Sequence, residues 1–140
     1  MTQTNESGRS MVEMLGVLAI IGVLSVGGIT GYSMAMRKYK ANNAVSAISI
    51  VSMMAQADRK NAQLSDTGYS ATSTGCTNIS ATHSDTPSTD GVVTATGCAS
   101  EVETEIRKLL NCENGATCYV GGVNAGDNKT VTFGAAAAGE

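Results

Sequence analysis

The chain has 140 residues with nine Lys or Arg, twelve Asp or Glu, and a net charge of −3. Its nine basic residues are spread over five places and form no extended aromatic-basic patch, so nucleic-acid binding is not indicated. With no Trp, one Phe and one His, sites built on aromatic stacking or histidine clusters are largely excluded.

The first eight residues, Met1 to Gly8, contain Glu6 and no Lys or Arg. Glu13 then stands just before Met14 to Met36, 23 residues without a charge. As a helix this run reaches roughly 34 Å, enough to cross a bilayer core. It exceeds the roughly 7–15 apolar residues of a secretory signal, and no clean small-x-small site follows it, so it reads as a retained membrane helix. A carboxylate at the edge of lipid is costly, so Glu13 needs a function. Gly16, Gly22, Gly27, Gly28 and Gly31 lie within the segment. Each costs about 1 kcal/mol against Ala in a helix, but small residues let membrane helices approach closely. Gly22, Gly27, Gly28 and Gly31 mark the part most easily stretched or unwound.

From Arg37 to Leu64 there is neither Pro nor Gly. Ala41, Ala44, Val45, Ile48, Val51 and Ala55 form a helical stripe, with Asn43, Ser46, Ser49, Ser52, Asp58, Arg59 and Lys60 on other faces. One helix from about Ser10 to Leu64 is expected, its second half amphipathic and attached to a small domain. About 80 residues then remain for that domain, near the size at which a core needs covalent help.

Residues 65–100 include 16 Ser or Thr and the only proline, Pro87. They read as a long surface loop with at most short strands, Gly91 to Thr96 being one. Ala99 to Asn111 carries Val102, Ile106, Leu109 and Leu110 at helical spacing, with Ser100 as expected N-cap and Glu103 three residues on. Thr117 to Val123 and Lys129 to Phe133 read as two strands joined by a turn through Gly121, Gly122 and residues 124–128.

Cys76, Cys98, Cys112 and Cys118 allow three connectivities. The sequential one is preferred: Cys76–Cys98 closes the Ser/Thr-rich loop, and Cys112–Cys118 pins the short helix to the next strand. Without a C-x-x-C, and with His83 far off in sequence, a zinc site is disfavoured. With no basic residue adjoining a cysteine in sequence, so is a reactive thiol. His83, Asp85, Asp90 and nearby serines supply the letters of a hydrolase triad without its strand–turn–helix setting. Asn124, Asp127 and Asn128 have the letters of a calcium loop, and a plain turn serves them better. No cofactor or metal is expected.

Gly8, the short polar leader before it, Glu13 five residues past it, and the run Leu15-Gly-Val-Leu-Ala-Ile-Ile-Gly-Val-Leu24 resemble the class III signal segment of type IV pilins and type II secretion pseudopilins. The resemblance covers about a quarter of the chain. It implies cleavage between Gly8 and Arg9 by a prepilin peptidase, N-methylation of Arg9, and assembly into a helical filament in which Glu13 meets a neighbouring subunit's Arg9 amine. The segment departs from the family at Arg9, where many pilins have Phe, in its acidic leader, and at Thr30, where many have a helix-bending proline. The cations Arg37, Lys38 and Lys40 after the apolar run would, by the positive-inside rule, keep the following domain cytoplasmic. The cysteines and the resemblance place it outside instead.

The expected fold is α+β: a long N-terminal helix carrying a small disulfide-stapled domain with a short antiparallel sheet. The expected organisation is a leader (1–8), a membrane or filament-core helix (9–36), the amphipathic half of that helix (37–64) and a head (65–140). The expected function is structural and not enzymatic: a major pilin, made as a bacterial inner-membrane precursor and then part of an extracellular pilus. Its expected partners are copies of itself, the prepilin peptidase and the assembly machinery. A minor pilin or pseudopilin is the alternative within the class, and a single-pass anchor for a binding or enzymatic domain the alternative outside it.

Overall fold

A computed structural model of the protein describes residues 4–57, 61–87, 89–122 and 129–134, with side chains from Ser10 onward. The chain forms two compact units, Met1–Ala35 and Met36–Glu140. Helix α1 (Thr4–Gln56) supplies all of the described first unit and the opening of the second.

In the second unit, Ala41, Ala44, Ile48, Val51 and Ala55 of the predicted stripe are fully buried, Val45 is half-buried against the same core, and Ala47, outside the predicted stripe, is fully buried as well. Most of these are alanines, whose short side chains allow close packing against the rest of the core. Ser52 was expected on another face but is buried as well. Its hydroxyl donates to the Gly91 carbonyl at 2.8 Å and accepts from Gln56 Nε2 at 3.1 Å, which offsets the cost of burying it.

The helix ends at Gln56, short of the expected Leu64. The apolar stripe ends at Ala55, and the sequence then turns charged at Asp58-Arg59-Lys60, so a longer helix would gain little further burial. Instead Asn61–Gln63 is strand β1, with Ala62 buried between two exposed neighbours, and Leu64–Asp66 is a single 3-10 turn. Asp66 Oδ2 accepts from the Gln63 amide at 3.0 Å and fixes that turn.

The remaining elements are α2 (Ala71–Thr74), β2 (Asn78–Thr82), β3 (Val93–Thr96), α3 (Ser100–Leu109), β4 (Cys118–Tyr119) and β5 (Thr130–Phe133). The sheet order is β1-β2-β3-β5-β4. All its pairings are antiparallel except β3 with β5, where Thr94 lies beside Thr132. A parallel pair needs a crossover connection, and α3 lies within it. The polar 65–100 stretch supplies β2 and β3 through alternation: Ile79, Ala81, Val93 and Ala95 point inward while Thr94 and Thr96 are exposed. These inward residues, Val131, the buried face of α1, and Val102, Ile106 and Leu110 around α3 form one continuous core.

Helix α3 starts at Ser100, so Ser100 is its first helical residue and Ala99 its cap, in place of the expected Ser100 cap. Ala99 has extended backbone, and its carbonyl already accepts from the Glu103 amide at 2.8 Å. The Glu103 carboxylate turns forward to Arg107, 3.0 Å away.

Candidate functional site

The site candidate of the first unit is the surface of α1 itself. From Ser10 to Gly31 every residue is exposed. Met11, Val12, Met14, Leu15, Val17, Leu18, Ile20, Ile21, Val23, Leu24, Val26 and Ile29 are each between 52% and 74% accessible. They point in all directions around the helix, so no single buried stripe accounts for them. An apolar surface of this extent marks a membrane or protein interaction site.

Three hydroxyls in the run, those of Ser25, Thr30 and Ser33, bond to the helix's own carbonyls. Ser25 donates to the Ile21 carbonyl at 2.7 Å, Thr30 to the carbonyls of Gly27 and Val26 at 3.0 and 3.2 Å, and Ser33 to that of Thr30 at 2.9 Å. With their protons bonded to the helix's own carbonyls, these residues enter an apolar medium at little cost. Among the described residues α1 is also the one helix long and apolar enough to cross a membrane.

Glu13 is exposed on this helix. The backbone of Gly8 and Arg9 is helical, while the Arg9 side chain, a candidate for methylation and assembly, lies outside the described set. Gly22, Gly27, Gly28 and Gly31 all have helical backbone, and a Cβ added at any of them would meet nothing within 4 Å. Within one chain, therefore, no contact requires these glycines.

In the second unit the disulfides are Cys76–Cys98 and Cys112–Cys118, the preferred sequential pairing. The first ties the segment before β2 to the segment after β3, where Thr77 N donates to Gly97 O and Ala99 N to Gly75 O. The second ties the end of α3 to β4. A basic side chain does adjoin a cysteine in space: Arg107 Nη1 lies 3.7 Å from Cys118 Sγ, with its guanidinium over the Phe133 ring at 4.6 Å. Eleven residues separate Arg107 from Cys118, so sequence adjacency missed the contact.

In sequence His83 is only one letter of a hydrolase triad that lacks its strand–turn–helix setting. Its Nδ1 lies 3.1 Å from both the Ala55 carbonyl and Asp90 Oδ1. Two acceptors at one nitrogen make Nδ1 the protonated one. Asp90 also accepts from the Ser84 amide, and the Ser84 hydroxyl accepts from Thr89 Oγ1 at 2.8 Å. His83 thus satisfies one of the last carbonyls of α1 and pins the β2–β3 connection to it. Asp85 is fully exposed, its Oδ1 3.9 Å from His83 Nε2. The calcium-loop letters Asn124, Asp127 and Asn128 lie outside the described residues.

A long apolar helix leading into a small domain stapled by two disulfides is a pattern compatible with pilin-like proteins. No family model, curated protein or solved structure matches the chain.

Proposed function

We propose that this protein is a pilin: a structural, non-enzymatic subunit held in the inner membrane by the first unit of α1, cut between Gly8 and Arg9, and polymerised through the apolar helix. The observation that carries the reading is the all-round exposure of large apolar side chains from Met11 to Ile29 on a helix where the hydroxyls of Ser25, Thr30 and Ser33 bond to its own carbonyls. Such a surface is stable in lipid, and equally stable against copies of itself. A contact between different faces of identical subunits propagates as a filament when the rotation does not close.

Within such a filament Glu13 is the one charge between Ser10 and Met36. A neighbour's free amine at Arg9 neutralises it. In low dielectric that attraction is offset by desolvation, so the pair acts as a register device more than a source of stability. Gly22, Gly27, Gly28 and Gly31 lack side chains to hold the helix, and packing against neighbours could stretch it there. Gly8 weakens the helical turn at the cleavage position in the same way.

Glu13→Val is the test. Cells producing this variant should keep the protein in the membrane and lose filaments. Filaments of normal length and yield from Glu13→Val would refute the register role. A minor pilin or pseudopilin would show the same cleavage without forming the main band of sheared fibres.

A further inference from the structure

The cations that follow the apolar run fit neither the core nor the polymerisation reading. Arg37, Lys38, Tyr39 and Lys40 are consecutive in α1, so each is turned about 100° from the last and together they ring the helix. Arg37 is engaged: its Nε lies 2.8 Å from Glu101 Oε2 on α3. Lys38 and Tyr39 are exposed and Lys40 is half-buried, and among the described residues neither lysine has an acidic partner. With Arg37 engaged, Lys38 and Lys40 stand about 200° apart on the helix, a collar that several separate headgroups can serve and an acidic patch on one neighbour cannot.

We infer that Lys38 and Lys40, with Tyr39 between them, bind the phosphates of anionic lipid headgroups where the chain leaves the bilayer. The collar fixes the depth of the precursor before it is extracted. Lysine stems cover apolar surface while their ammonium groups stay in the polar layer, and tyrosine favours the same level. Anionic headgroups supply the negative charge that complements the two unpaired ammonium groups. This also accounts for cations on the side of the apolar run where the positive-inside rule disfavours them. The inference rests on the membrane stage of the proposed function and is independent of filament formation.

The chain has no Trp, so Tyr39→Trp introduces a single indole reporter at the collar. The full chain carrying it is reconstituted into phosphatidylcholine vesicles holding a few per cent of acyl-labelled dansyl phosphatidylglycerol or dansyl phosphatidylcholine. Energy transfer should report enrichment of the anionic lipid by roughly fivefold per lysine, falling as salt is raised. Adding Lys38→Gln and Lys40→Gln should make the two lipids equivalent. Inorganic phosphate at matched ionic strength should leave the enrichment unchanged. Equal transfer to both lipids without the glutamines, or a preference that survives them, would overturn the collar and leave the filament reading intact. Loss of the preference to inorganic phosphate alone would identify a soluble anion as the ligand and also overturn it. Absence of transfer to either lipid would defeat the membrane stage itself.

Discussion

Removing residues 1–35 should convert a protein that cannot remain monomeric in water into one that can. Twelve large apolar side chains between Met11 and Ile29 are 52–74% exposed. Burying such a side chain fully is worth about 1.5–3 kcal/mol, so at roughly two-thirds exposure the twelve together leave on the order of 15–20 kcal/mol unrealised. That exceeds the entire folding stability of a typical domain, about 5–15 kcal/mol. The unit Met36–Glu140 keeps the packed face of α1, the sheet, α3 and both disulfides. Sedimentation velocity in detergent-free buffer is the assay. The full chain should appear only as large assemblies and become monodisperse in detergent. The 36–140 fragment should sediment as a monomer and unfold in one cooperative transition. A full-length, monodisperse monomer in plain buffer would refute the reasoning about the exposed helix, and an unfolded fragment would refute the independence of the head's core.

The disulfides should contribute unequally. In the chain-entropy model Cys76–Cys98, with a separation of 22, stabilises by about 3 kcal/mol and Cys112–Cys118, with a separation of 6, by about 2 kcal/mol. Urea denaturation of the two paired Cys→Ser variants would compare them. Gly97 has φ +63°, and a Cβ there would lie 2.1 Å from Thr77 Oγ1 and 2.6 Å from Thr77 Cβ. Gly97→Ala should therefore cost about 3 kcal/mol or more, against about 1 kcal/mol for Gly68→Ala, where φ is +81° and nothing lies within 4 Å. Equal losses would show that backbone conformation, not the Thr77 contact, dominates at Gly97. Ser52→Ala should cost about 1–2 kcal/mol by leaving the buried Gly91 carbonyl without its donor. An unchanged denaturation midpoint would contradict that account of the buried hydroxyl.

Where long-range packing and local pattern agree, the elements were legible. The apolar stretch, the alanine-rich stripe from Ala41 to Ala55 and α3 follow from composition and spacing, while the sequence left three disulfide connectivities open, of which the preferred sequential one is observed. Strands β3 and β5 lie within the segments expected for them, and β4 within 117–123. Strands β1 and β2 were hidden. Asn61-Ala62-Gln63 has one small apolar residue, and in Asn78-Ile-Ser-Ala-Thr82 the inward pair is Ile79 and Ala81 amid a Ser/Thr-rich stretch. These strands are defined by pairing with each other and with β3, which propensity does not register. The parallel β3–β5 pairing was also invisible, because α3 and β4 intervene in sequence. Of the candidate site, the apolar surface and Glu13 were readable in one dimension. The tie from His83 to the end of α1 needed the fold, since 28 residues separate His83 from Ala55.

Intact-mass analysis of fibres sheared from cells tests the polymerisation claim most directly. The main polypeptide should begin at Arg9, lack Met1 to Gly8 and carry a methylated amino terminus. Recovery of this protein solely as an uncut chain starting at Met1, monomeric in the membrane fraction while fibre assembly is active, would contradict it.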